Sequence, residues 1–290
     1  REWGRGLAAF VALVAPTTAM GLTFPLLLQQ AAERAGTGAL VGRLTSINTV
    51  GAVVGSLLAG YVILPQIGSQ RSIVLLAGLF GACSLLVLAH QRARTPLQHV
   101  ARYAVAFVAV AGAAIAVRAP RWDLTQMTGG YHVYFDWGRG PERIVFVRED
   151  TQGGVTTVTE KDGVRTLLTN GKFQGNDGHE VAAQRFFAHY PLMFVRDHRR
   201  ALVIGLGTGT TLGTVAAYPF ERIDVVEISD TITHAAKTFF GPLGADALGD
   251  PRVSLYLEDG RNHITVTREQ YDVVGIELTS VWFAGAGSLY

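Results

Sequence analysis

Charge disappears from the first part of this chain in long runs. Gly6–Ala32 and Leu44–Gln70 are uncharged over 27 residues each, Ser72–Gln91 over 20 and Tyr103–Val117 over 15. A helix needs about 20 apolar residues to cross the hydrocarbon core of a bilayer. Three runs meet that length. The fourth is borderline, with Arg102 and Arg118 at its ends able to snorkel. A core helix would explain the fourth run alone, but not three long neighbours joined by short loops. A signal peptide is excluded, because its apolar core is shorter and further spans would not follow. The pattern predicts about four transmembrane helices within residues 1–118. Gly51, Gly55 and Ala59 recur every four residues, a stripe that predicts close approach of another helix. Pro16 and Pro25 are expected to kink the first helix.

From Tyr131 to Gly171 the period shortens to two. The segments YHVYFD, RIVFVRE, GVTTVTEK and VRTLLTN alternate and are rich in β-branched and aromatic residues. Asp162-Gly163 and Asn170-Gly171 are tight-hairpin signals, so a small antiparallel meander is expected. Next comes NDGHEVAAQRFFAHYPL, where Asp177 and Glu180 have capping-box spacing and Pro191 should end the helix.

After Ala201 the pattern becomes strand and helix in alternation. ALVIG runs into a turn carrying Gly205, Gly207 and Gly209, and a second strand ends at Glu227. VSLYLEDGR supplies a third strand followed by Asp259-Gly260, and YDVVGIE a fourth ending at Glu277. Glycines at such a turn let the backbone approach a ligand, and acids at successive carboxyl ends of strands face the same crevice. An acid at Glu227 can accept both hydroxyls of a ribose. Asp259 can take the exocyclic amine of adenine. Each acid alone is as well explained as a solvated strand end or a helix cap; their combination with the glycines favours a nucleoside site. The dinucleotide fingerprint G-x-G-x-x-G is not met, because Thr210 occupies its third glycine position. The pattern points instead to an S-adenosylmethionine-type nucleoside.

Composition sharpens the division. Residues 1–118 hold nine arginines, no lysine and two acids; residues 119–290 hold 16 basic residues and 21 acids. The formal charge of +2 therefore averages two unlike parts, and no nucleic-acid partner is expected. Mean hydropathy is +0.26, high for a soluble chain. The lone cysteine, Cys83, permits no internal disulfide and reads as a small buried hydrophobe. The chain starts at Arg1 rather than Met and ends just past a strand, so both parts are expected to be incomplete. Three regions are anticipated: helices over 1–118, the meander over 119–177, and a Rossmann-type nucleoside-binding domain over 178–290.

These residues resemble the spermidine synthase (polyamine aminopropyltransferase) family. Its glycine motif G-G-G-D-G-G aligns with GLGTGT without a gap, DPRVSLYLEDGR is similar to its D-P-R-V segment, and YDVVGIELTS is similar to its Y-D-V-I-I-x-D-x-S-D. Upstream, NGKFQGNDGHEVAAQRFFAHYPL keeps Gly171, Gln174, Glu180, His189 and Pro191 in register with the family. The apolar part, with INTVGAVVGSLLAGYVILPQIGSQR, resembles the membrane module of fused transporter-like/spermidine synthase-like bacterial proteins.

The resemblance implies a β-stranded domain before a Rossmann-type fold of the class I S-adenosylmethionine-dependent transferases. It implies transfer of an alkyl group from S-adenosylmethionine, or its decarboxylated form, to an amine-type acceptor, a polyamine being the family's. Donor binding would fall to Gly205, Gly207, Thr208, Gly209, Glu227, Asp259, Gly260 and Gln174, and catalysis to Glu277. Acceptor contacts would come from Glu180, His179, Ser280 and Trp282. No metal is implied.

This chain departs from the family at telling places. The acid that grips the donor's ammonium is Thr208, the catalytic Asp is Glu277, the second acid of the S-D pair is Ser280, and the Asp of the D-E pair is His179. Ala183 replaces a Tyr. Nucleoside-holding positions are kept and diamine-holding ones are largely changed, which points to a different acceptor and to a donor that keeps its carboxylate. The expected protein is a multi-pass transferase of the bacterial inner membrane, its soluble part cytoplasmic, where such donors are made. Homo-oligomerisation is left open. The competing reading is a non-catalytic nucleoside- or polyamine-binding module regulating a transporter-like protein.

Overall fold

The structure, a computed structural model, describes residues 2–32, 37–90, 95–123, 128–130, 143–150 and 154–276. The chain divides into two compact units, Arg1–Val62 and Ile63–Tyr290. The first contains α1 (Glu2–Ala32), which continues through Pro16 and Pro25, and α2 (Thr37–Leu58). A π-helical turn, Ala59–Ile63, follows. No atom lies within 4 Å of where a Cβ would stand on Gly51 or Gly55, so among the described residues no helix uses the small-residue stripe.

The second unit begins with α3 (Leu64–His90) and α4 (Pro96–Arg118), which pack against each other. Gly81 rather than the stripe supplies a close approach, its missing Cβ lying 3.6 Å from the Ala109 carbonyl. Thr95 and Gln98 form a full capping box, with Pro96 in the first turn where its lack of an N–H costs nothing. Three helical runs are long and apolar enough to span a bilayer: Gly6–Gln29, Gly38–His90 and Pro96–Arg118. Four were expected; the second and third are joined into one 53-residue run. At about 1.5 Å per residue, such a run is far longer than one crossing requires. Large apolar side chains on these helices point outward: Phe107 is 73% exposed, Ile115 71% and Val100 66%. Cys83, expected to be buried, is likewise exposed, because its helix has no protein packed around that position.

The expected meander is present as a four-stranded antiparallel sheet, β1 (Arg143–Asp150), β2 (Gly154–Lys161), β3 (Val164–Thr169) and β4 (Lys172–Asn176), in sequential order. YHVYFD lies outside the described residues, and KFQGN is a strand the alternation did not reveal. Both hairpin turns carry positive φ at both central residues, Asp162 (50°) with Gly163 (78°) and Asn170 (51°) with Gly171 (74°). That geometry matches the right-handed twist of the flanking strands. Val158 and Leu167 are fully buried in a core shared with Ala235 and Phe240.

The remaining strands form a parallel sheet. Its order is β7 (Val253–Leu257), β6 (Arg222–Glu227), β5 (Arg200–Ile204), β8 (Val273–Ile276). This is the 3-2-1-4 order of a Rossmann-type sheet, whose ligand crevice lies beyond the carboxyl ends of the strands. The connecting helices are α5 (Glu180–Leu192, ahead of β5), α6 (Thr210–Ala216), α7 (Asp230–Phe239) and α8 (Gly260–Val266). Ala201, Val203, Ile223 and Val225 are fully buried, as continuous apolar strands covered on both faces should be. Asp272 pins the start of β8 to β5, one carboxylate oxygen accepting from the Arg199 and Arg200 amides at 2.9 and 2.8 Å. Those bonds hold its carboxyl below the usual range.

Candidate active site at the carboxyl ends of the parallel strands

The glycine turn takes the backbone form only glycine adopts freely. Gly205, Gly207 and Gly209 have φ of 88°, 53° and 82°. Gly209 is also a packing glycine, since a Cβ there would stand 2.6 Å from the Ala245 amide nitrogen. Gly260 is likewise forced by packing, its missing Cβ lying 2.4 Å from Ile204 at the end of β5.

Glu227 closes β6 and is 5% exposed. Its two carboxylate oxygens accept from the Leu206 and Ser229 amides, each at 2.9 Å. Burial pushes its carboxyl up, and the amides of Leu206, Ser229, Ile228 and Gly207 pull it back. No cation need accompany a carboxylate whose charge is met by backbone N–H groups. A carboxylate at this strand end is an acceptor of the kind that ribose hydroxyls require.

Asp259 follows β7 and caps α8, accepting from the Asn262 amide at 2.9 Å. The strand ends are stitched together, with the Glu258 amide donating to the Glu227 carbonyl at 3.1 Å and the Gly205 amide to the Val226 carbonyl at 2.8 Å. The structure thus gathers the glycine turn, Glu227 and Asp259-Gly260 at adjacent strand ends.

Thr208, 2% exposed, is turned inward. Its hydroxyl donates to Gln184 Oε1 at 3.2 Å and shares a hydrogen bond with the Thr210 hydroxyl at 2.9 Å. The cluster rests on Gly175 of β4, whose missing Cβ would lie 2.8 Å from both Thr208 Cγ2 and Gln184 Nε2. This contact joins the meander, α5 and the glycine turn, and places Gln174 in the adjoining position of β4. Gln184 was not singled out from the sequence. Its signal was available, since it stands one helical turn after Glu180 on α5.

Glu180 is half-buried at the start of α5, but the expected capping box is absent. Asp177 Oδ1 instead accepts from the Arg165 amide at 2.6 Å, and Asn176 Oδ1 takes the Gly178 and Glu180 amides at 3.0 and 3.3 Å. The β4–α5 turn presents Asn176 to those donors and draws Asp177 to the sheet. The His179 side chain is 83% exposed, with Nε2 3.8 Å from a Glu180 oxygen. Glu277, Ser280 and Trp282 lie outside the described residues. A cavity of about 350 Å³ lies against α5 and β8, lined by Ala183, Phe186, Pro191, Leu202, Thr211 and Ile276 among others. Its lining is mainly apolar and includes Ala183 of α5 but not Glu227.

Comparison with known proteins finds relatives for this part of the chain. Residues 180–283 match the spermine/spermidine synthase domain. Polyamine aminopropyltransferase 1 of Pseudomonas aeruginosa is 32% identical over 111 residues, 38% of this chain and 39% of that protein. Polyamine aminopropyltransferase of Corynebacterium efficiens is 27% identical over 275 residues, 89% of this chain and 50% of the relative. Putrescine N-methyltransferase 2 of Nicotiana tabacum is 32% identical over 115 residues, 39% of this chain and 32% of its own length. The chain spans half or less of the length of each of these relatives. The parallel sheet, glycine turn and strand-end acids fall within or beside residues 180–283, the segment that is similar to the spermine/spermidine synthase domain.

Proposed function

We propose that this chain is a membrane-tethered, spermidine synthase-like transferase that moves an alkyl group from an adenosyl-sulfonium donor to an amine-type acceptor. The observation that carries the reading is the buried Glu227 carboxylate, held by the turn that bears the three glycines. Gly205 and Gly207 keep side chains out of that turn. Asp259-Gly260 adjoins it from β7, and Gln174 from β4.

The chemistry is a displacement. A neutral amine nitrogen attacks the carbon beside the sulfonium sulfur, the carbon–sulfur bond breaks, and a neutral thioether leaves with the bonding pair. An alkylammonium with a pKa near ~10 must lose a proton first. Glu277, directly after β8, is the carboxylate proposed to take it. In the coarser form suggested by the relatives' names, the group transferred is aminopropyl and the donor is decarboxylated S-adenosylmethionine.

A second reading of the donor rests on Thr208. The cluster of Thr208, Thr210 and Gln184 is neutral and closed on itself. A lone ammonium on the donor's tail finds no counter-charge there, whereas a zwitterionic amino-acid tail has no net charge to offset. That favours S-adenosylmethionine and methyl transfer, the activity in the name of the tobacco relative.

Membrane tethering is supported by the three long apolar runs and their outward-facing side chains. In this reading residues 1–118 anchor the protein in a bacterial inner membrane, residues 119–177 form the meander, and 178–290 hold the site on the cytoplasmic face. The test is turnover by the full chain in liposomes, supplied with putrescine and either methyl-labelled S-adenosylmethionine or propyl-labelled decarboxylated donor. Label in a polyamine product establishes the transferase and names the group moved. Donor binding with no product from putrescine or from a membrane extract overturns catalysis and leaves a binding module.

A further inference from the structure

Helix α3 contains one residue that is not helical. Gly68 has φ 75° and ψ 169°, so the helix stops and restarts there. A restart leaves the amides of its first turn without partners four residues back. The first of these, the Ser69 amide, donates to Glu149 Oε2 at 2.6 Å. Glu149 lies 80 residues later, on β1 of the meander.

The next residue is engaged as fully. Gln70 Nε2 donates to the Pro120 carbonyl at 2.8 Å, and Gln70 Oε1 accepts from the Trp122 amide at 3.1 Å. Both ends of one side-chain amide therefore hold the chain as it leaves α4. Ser72, the one buried residue described on α3, donates its hydroxyl to the Gly68 carbonyl at 2.7 Å. These polar contacts fall on residues 68–72; among the described residues the apolar stretches on either side make no comparable bonds to the sheet.

We propose that residues 68–72 are a latch that fastens the β-meander and the α4 exit to the helical part of the chain. Glu149 is its catch, acting as the N-terminal cap of the restarted helix Ser69–His90 from a distant part of the sequence. The geometry suits that role. A carboxylate at a helix start meets both the orphan amide and the positive end of the helix dipole, and a charge-assisted bond of this kind is short. Gly68 is the residue type that takes positive φ without strain, and the Glu149 carboxylate lies beside it. Gln70 adds a second, independent grip on the linker. The latch goes beyond the transferase reading and depends on neither a donor nor an acceptor.

The experiment uses the full chain in liposomes, with Glu149→Gln, Glu149→Ala and Gln70→Ala. Amide hydrogen exchange is followed at Ser69 and across β3, and trypsin cleavage at Arg121. Glu149→Ala should speed Ser69 exchange at least tenfold with β3 protection unchanged. Glu149→Gln, which retains an acceptor, should speed it less. Gln70→Ala should raise cleavage at Arg121 several-fold. The latch is overturned if Ser69 exchange and Arg121 cleavage stay at wild-type levels, or if they rise only together with loss of β3 protection. Alkaline extraction of the liposomes reports separately on whether the helices span the bilayer.

Discussion

The Leu206 amide donates to the Glu227 carboxylate at 2.9 Å, so the turn after β5 is tied to the end of β6 by a buried negative charge. Burial raises that carboxyl. A group whose folded pKa is raised contributes stability below its unfolded value, near 4.5, and loses it as pH rises through the folded value. Once ionised, Glu227 is therefore a stability cost retained at the strand end. Glu227→Gln should leave stability at pH 7 within about 1 kcal/mol of wild type, because relief of the charge offsets one mismatched amide contact. The same change should weaken donor binding at least tenfold, about 1.4 kcal/mol. Calorimetric titration with S-adenosylmethionine and its decarboxylated form, beside thermal unfolding from pH 4 to 7, separates the two effects. Unchanged affinity with a large loss of stability would make Glu227 a purely structural clamp.

The neutral cluster around Thr208 makes a charge-swap prediction. Thr208→Asp introduces a carboxylate beside the Gln184 amide and the Thr210 hydroxyl, both able to donate to it. The variant should shift donor preference about tenfold toward the decarboxylated, net-cationic tail, and lose about 1–3 kcal/mol of stability from burying a charge that only neutral groups meet. The ratio of the two donors' dissociation constants, measured for both proteins, checks it. An unchanged ratio would mean that the donor's tail does not reach this cluster.

Much of this architecture could be read from periodicity. The two hairpins were legible because Asp162-Gly163 and Asn170-Gly171 demand a turn with positive φ, which local chemistry decides. The parallel strands were legible because they are short, largely apolar runs followed by the glycine turn or by an acid. What failed depended on contacts distant in sequence. Asp177 has the spacing of a cap, but the Arg165 amide on β3 captures it. β4 escaped notice because KFQGN has only five residues, three of them polar and one a glycine that packs on Thr208. Gln184 stands one turn after Glu180, but that spacing alone does not name its partner, which lies 24 residues away on the glycine turn. The break at Gly68 sits inside an apolar run, where one more glycine carries no signal until Glu149 is brought to it.

Two glycines with nearly the same φ should respond differently to alanine. Gly163, at 78°, has no atom within 4 Å of its missing Cβ, so Gly163→Ala should cost about 1 kcal/mol, the strain of the left-handed backbone alone. Gly209, at 82°, has the Ala245 backbone at 2.6–2.7 Å, which cannot swing aside as a flexible side chain would. Gly209→Ala adds overpacking to the same strain and should cost about 3 kcal/mol. Chemical denaturation of both variants in micelles gives the comparison. Equal losses would show that the loop of residues 241–249 moves freely and does not fix the turn.

A buried polar network on the other side of β6 predicts an unusual titration. The Tyr271 hydroxyl donates to Asp224 Oδ2 at 2.9 Å. Arg222 Nε donates to the other oxygen at 3.0 Å, and Arg222 Nη2 donates to the Tyr256 hydroxyl at 2.9 Å. Desolvation first, then the hydrogen bond to Asp224 and its charge, push the Tyr271 phenol up to about 12. Because this pKa is raised, the stability it represents is complete below pH 10 and is lost as pH climbs toward 12. At pH 11 about a tenth of Tyr271 should be ionised, against about nine-tenths of a free tyrosine. The ultraviolet difference between wild type and Tyr271→Phe isolates this phenol from the others. Ionisation near pH 10 in that difference would mean that Asp224 does not hold the hydroxyl. Asp224 is 1% exposed and the Arg222 side chain 40% exposed, so Asp224→Asn should cost about 2 kcal/mol, below the value for a fully buried pair because solvent screens the guanidinium.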